Sequence, residues 1–95
     1  MHEKSLDKLI QVEWDTINEL KQMLTDSSLS TYDKVRISNS LAFHAVALNK
    51  LLQNKGEKPL EDENLGSMLA KLPKKWRLTV LRDFQKWKRK SLLIV

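Results

Sequence analysis

Residues 31–54, TYDKVRISNSLAFHAVALNKLLQN, decide the fold. Val35, Ile37, Leu41, Ala42, Phe43, Ala45, Val46, Ala47, Leu48, Leu51 and Leu52 cover more than one side of a helix, and Ser38, Ser40 and the three alanines keep it slim. A helix that is apolar on most sides and allows close approach belongs in the centre of a bundle. Its start is marked by Ser30 followed three residues on by Asp33, a capping-box-like pair. Its end is marked by Gly56, which takes the left-handed cap conformation at low cost. The expected fold is an all-α, compact four-helix domain with this segment, helix 2, at its centre, three long helices and one short one.

Upstream, Leu6, Leu9, Ile10, Ile17, Leu20, Met23 and Leu24, with Trp14 on the same flank, give the i, i+3, i+4, i+7 pattern of an amphipathic helix from Ser5 to about Thr25. Downstream, EKPLEDEN reads as an acidic loop ending in a cap at Asp62 or Asn64. A short helix 3 follows from about Glu63 to Leu72, with Leu65, Met68, Leu69 and Leu72 inward. Pro73 either ends it or opens the next helix at its first position. Helix 4 is expected from about Lys74 to Ser91, with Leu92, Leu93, Ile94 and Val95 as an apolar tail.

The totals are consistent with one small domain. At 95 residues the chain buries only about 60–65% of its unfolded surface, so it needs good packing or a partner. No residue is Cys, which removes disulfide and thiolate-zinc chemistry and suits a cytoplasmic location. No apolar run approaches the roughly 20 residues of a membrane span, and MHEKSLDK has no signal-peptide core. The net charge of +5 is unevenly placed: residues 1–70 carry eight Lys/Arg against eleven Asp/Glu, whereas residues 71–95 carry nine against Asp83 alone. The positive field sits at one end.

On a wheel of about 100° per residue, Trp76, Val80, Phe84 and Trp87 form the core face of helix 4, with Leu81 adjoining. Lys75, Arg82, Lys86, Arg89 and Lys90 fall in another arc of about 100°, while Lys74, Arg77 and Lys88 lie toward its borders. Basic residues in a last turn complement the helix dipole. Lys74, Lys75 and Arg77 instead sit in the first turn, where cations oppose the dipole and reinforce an anion-attracting end. A solvated face would also ordinarily mix charges of both signs. Lys74, Lys75, Arg77, Arg82, Lys86, Arg89 and Lys90 are therefore the candidate phosphate-binding residues, with DNA as the expected ligand and RNA as the alternative. Base reading is not expected, since Gln85 is the helix's one Asn or Gln. A helix-turn-helix fits poorly, because the connection after helix 2 is long and acidic and Pro73 leaves little turn before helix 4.

Other residues read as structure. Trp76 and Trp87 read as core, with base stacking as the alternative, and Trp14 reads in the same way; His44 reads as a hydrogen-bonded core histidine, since the second histidine is far away at His2. Arg36, Asn39 and Asn49 mark either a buried polar network or the wet stripe of helix 2. Glu13, Asp15 and Glu19 read as a solvated face, with no nucleophile–base pair, metal-ligand spacing or phosphate loop beside them. No catalysis, metal or cofactor is expected. Leu92, Leu93, Ile94 and Val95 should not be left in water, and either fold back or dock on a protein partner.

With RISNSLAFHAVALNKLLQ in helix 2 and LPKKWRLTVLRDFQKWKR leading into helix 4, the chain resembles the small helical accessory subunits of crenarchaeal B-family replicative DNA polymerases in size, helical order and basic C-terminal helix. That resemblance implies a non-catalytic subunit that docks on a polymerase and influences its handling of DNA. A second class stays open: an interaction or regulatory module, such as a viral or inhibitor protein, whose basic helix meets an acidic protein surface.

Overall fold

Four helices follow one another in chain order: α1 (Glu3–Met23), α2 (Thr31–Asn54), α3 (Asp62–Met68) and α4 (Lys74–Ile94). The structure, a computed structural model, describes the backbone of residues 3–94 and the side chains of residues 5–90. The expected all-α four-helix architecture is present, and α2 is its centre: it packs on α1 on one side and on α4 on the other, while among the described residues α1 and α4 share no backbone interface. Residue pairings give the directions. Glu13 meets His44 and Asp7 meets Lys55, so α1 runs antiparallel to α2. Lys34 meets Trp76 and Phe43 meets Trp87, so α4 runs parallel to α2, and the segment containing α3 returns the chain between them.

The bounds of α2 follow from local chemistry. Ser30 is extended, and its Oγ accepts the Asp33 N–H at 3.1 Å, satisfying a donor that the first turn leaves free. At the other end Gly56 takes φ +81°, Gly56 N–H bonds the Gln53 carbonyl at 3.0 Å and Glu57 N–H bonds the Leu52 carbonyl at 2.8 Å. That pair of bonds is a Schellman cap. The following loop is fastened by Asn49, whose carboxamide bonds both the N–H and the carbonyl of Leu60.

Helix α1 begins and ends two residues earlier than the Ser5-to-Thr25 expectation, and three further features differ. Helix α3 ends at Met68 rather than Leu72, and the chain tightens into i→i+3 bonds from Ala70 to Ser67 and from Leu72 to Leu69. Pro73 keeps α3 from running on into α4: it restricts Leu72 and offers no N–H to the Leu69 carbonyl four residues earlier. The cap of α3 is Glu61, whose N–H bonds Asn64 Oδ1 at 3.0 Å, rather than Asp62 or Asn64 themselves. Leu92, Leu93 and Ile94 continue α4 instead of forming a separate tail, since no helix breaker intervenes after Ser91. Pro73 precedes α4, its carbonyl accepting from Trp76 and Arg77 N–H.

Ile17, Leu24, Leu41, Leu48, Leu65, Leu69, Val80 and Phe84 are fully buried at the centre of the core. Leu9 and Met23, expected inward, are exposed, as are Val35 and Phe43. The reason for α1 is geometric: it has one long neighbour, so only one stripe of it can be covered. No helix among the described residues is long and apolar enough to cross a membrane.

Candidate nucleic-acid interface

Helix α4 is held by its apolar face. Trp76, Val80 and Phe84 are buried against the core and Trp87 is half-buried, as their spacing implies. This fixes where the remaining side chains point. Lys75, Arg82, Lys86, Arg89 and Lys90 are all exposed on one side, spanning roughly 22 Å of helix at about 1.5 Å per residue. Thr79, within the same arc, turns its hydroxyl back to the Lys75 carbonyl at 2.7 Å.

The acid of this segment is turned away from the arc. Asp83 is only 7% exposed and lies on the flank of the packed face, beside Trp76 on the wheel. Arg82 Nε stands 3.5 Å from its Oδ1, with the Arg82 side chain 73% exposed. Because the contact uses Nε, the two terminal guanidinium nitrogens of Arg82 remain available to an incoming anion. Lys86 and Arg89 have no ion-pair partner among the described residues.

The other candidates divide by their neighbours. Arg77 is half-buried and donates from Nη1 to the Ala70 carbonyl at 3.2 Å, satisfying a group that the unwound end of α3 leaves free. Its place in the first turn of α4 thus has a structural reason. Lys75 lies over the Trp76 ring at 5.0 Å and Lys90 over the Trp87 ring at 5.0 Å, so each covers an indole while its ammonium stays in solvent. Lys74 is exposed and falls outside the arc. The side chains of Leu92, Leu93 and Ile94, and Val95 altogether, lie outside the described residues, so their docking role stays with the sequence reading.

Two contributions from α2 carried no signal in the helical wheel of α4. Lys34 Nζ stands 6.0 Å from the centroid of the Trp76 ring that Lys75 also covers, a cation close to α4 that comes from another helix. Phe43 packs edge-to-face on Trp87 at 5.3 Å, next to Lys90. Neither could be placed without the packing of α2 on α4.

Several polar residues elsewhere have structural partners. His44 Nδ1 and Glu13 Oε2 are 2.7 Å apart across the α1–α2 interface, so His44 is hydrogen-bonded as expected, while Glu13 leaves the solvated group to which sequence assigned it. Asn49 is buried and engaged, whereas Arg36 is exposed and Asn39 half-exposed. The Trp87 indole N–H is buried without an acceptor among the described residues. Among those residues no three His, Cys, Asp or Glu side chains gather as metal ligands. Comparison of the chain with protein-family models, with curated proteins and with solved structures gave no match.

Proposed function

We propose that the protein is a non-catalytic accessory subunit of a nucleic-acid-processing assembly that holds phosphates through α4 without reading base sequence. One observation carries this reading: Arg82, Lys86 and Arg89 project together from an exposed arc while Asp83, the one acid of residues 71–95, is buried at its edge. Apart from Asp62 of α3, which accepts from Gln85 at the border of the arc at 2.7 Å, the strip carries no acid, and such a strip neutralises phosphates and releases their counterions, the sequence-independent part of nucleic-acid affinity. A DNA polymerase holoenzyme is the assembly that the family resemblance suggests, with apolar surface supplying the protein contact.

The double variant Arg82→Glu, Lys86→Glu tests this against plain duplex and single-stranded DNA at low salt. Loss of binding with unchanged helical circular dichroism is the expected result. Unchanged binding would refute the assignment of the arc, and binding absent in the parent protein would favour an acidic protein surface as partner.

A further inference from the structure

Phe43 is 49% exposed although its neighbours Ala42, Ala45 and Val46 are buried. The exposed ring presents an aromatic face to solvent. Its ring is held, with edge-to-face contacts to His44 at 5.8 Å and 88° and to Trp87 at 5.3 Å and 82°. Lys90 lies over the same Trp87 ring. The exposed aromatic and the basic arc of α4 are therefore neighbours through one shared indole.

The rest of the solvent stripe on α2 matches. Tyr32, Arg36, Phe43 and Lys50 recur at offsets of four, seven and seven residues, which places them on one side of a helix. All four are exposed, and the Arg36 guanidinium lies 5.8 Å from the Tyr32 ring centroid. This stripe holds two rings, two cations and no acid, and it runs parallel to the cationic arc of α4. A duplex presents phosphates and groove edges but no free base faces to such a surface, because its bases are stacked inside. A single strand presents phosphates and free base faces, which match cations and rings together.

We propose that the stripes of α2 and α4 form one surface for single-stranded nucleic acid, with phosphates held by Arg82, Lys86 and Arg89 and a base stacked on Phe43. This deepens the phosphate-binding reading and rests on it. Stacking on one aromatic side chain contributes about 1–3 kcal/mol per base, equivalent to roughly 5- to 150-fold in affinity. It is indifferent to base identity because every base has a π-face.

The test measures fluorescence anisotropy of the full chain with three labelled probes of equal length: oligothymidine, an abasic strand and a duplex. Phe43→Leu is expected to weaken oligothymidine binding at least 5-fold while leaving the abasic strand and the duplex unchanged. Phe43→Trp, which keeps a ring at this half-exposed position, should preserve oligothymidine binding. Equal affinity of the parent for oligothymidine and the abasic strand would overturn the stacking proposal and leave the phosphate reading standing. Equal weakening of all three probes by Phe43→Leu would overturn stacking in the same way. Absence of binding to every probe would overturn both.

Discussion

Asn49 holds the backbone of Leu60 with both ends of its carboxamide: Nδ2 donates to the Leu60 carbonyl at 3.0 Å and Oδ1 accepts from the Leu60 N–H at 2.6 Å. One buried side chain on α2 thereby fixes the loop that carries the chain to α3. Asn49→Ala would leave two backbone groups unpaired and cost about 1–3 kcal/mol. In a domain of this size each kcal/mol lowers the melting temperature by roughly 4–8 °C. Because Asn49 is remote from Arg82 and Lys86 in role, DNA affinity of the folded variant should not change. Thermal melting and anisotropy on the same sample check both halves.

The two glycines should respond to alanine with opposite signs. Gly56 sits at φ +81° with nothing within 4 Å of an added Cβ, so Gly56→Ala loses stability through backbone strain alone, by about 1 kcal/mol. Gly66 lies inside α3 without a positive φ and also has open space around it. Gly66→Ala should therefore add about 0.5–1 kcal/mol by helix propensity and reduced unfolded-state freedom. Urea unfolding of the pair measures the contrast without reference to any ligand.

Glu13 is distinguished from its acidic neighbours by the 2.7 Å contact with His44. Glu13→Ala should cost about 1–2 kcal/mol because the half-buried imidazole loses its partner. Asp15→Ala should change stability by less than about 0.5 kcal/mol, as an exposed residue outside the interface. Equal effects from the two would contradict the structural role of the pair.

Between α1 and α2, the Ser28 hydroxyl and then its N–H donate to Asp26 Oδ1 at 2.7 and 2.9 Å, and this holds the Asp26 carboxyl below its ordinary value. A depressed folded-state value means that the contribution to stability is present above the unfolded pKa and is lost as pH falls through the folded one. Ser28→Ala should move the Asp26 titration upward toward that of a free carboxylate, read directly by NMR of the side-chain carbonyl.

Much of this architecture is legible in the residues. The serine at position 30 and the glycine at 56 bracket α2 because caps are local chemistry, and the Trp76, Val80, Phe84, Trp87 periodicity of α4 fixes its buried face. What the sequence leaves open depends on neighbours. The exposure of Leu9 and Met23 follows from α1 having one packed side, which an amphipathic pattern does not reveal. The first-turn cations of α4 show the same limit. Arg77 is drawn there by the Ala70 carbonyl and Lys75 by the Trp76 ring, so the dipole argument does not by itself make them ligand-binding. Lys34 reaches Trp76 and Phe43 reaches Trp87 only through tertiary packing, since 42 residues separate the first pair and 44 the second.

Phosphate binding by the α4 arc is tested most directly by the salt dependence of DNA affinity. Four or five phosphate contacts predict a slope of log K against log salt of roughly −4 on duplex DNA, and a loss of about 100- to 1000-fold in affinity between 50 and 200 mM. The neutral double variant Arg82→Gln, Lys86→Gln, which removes two contacts without adding repulsion, should reduce that slope to roughly −2. A slope near zero, or one that the double variant leaves unchanged, would contradict phosphate binding by this arc.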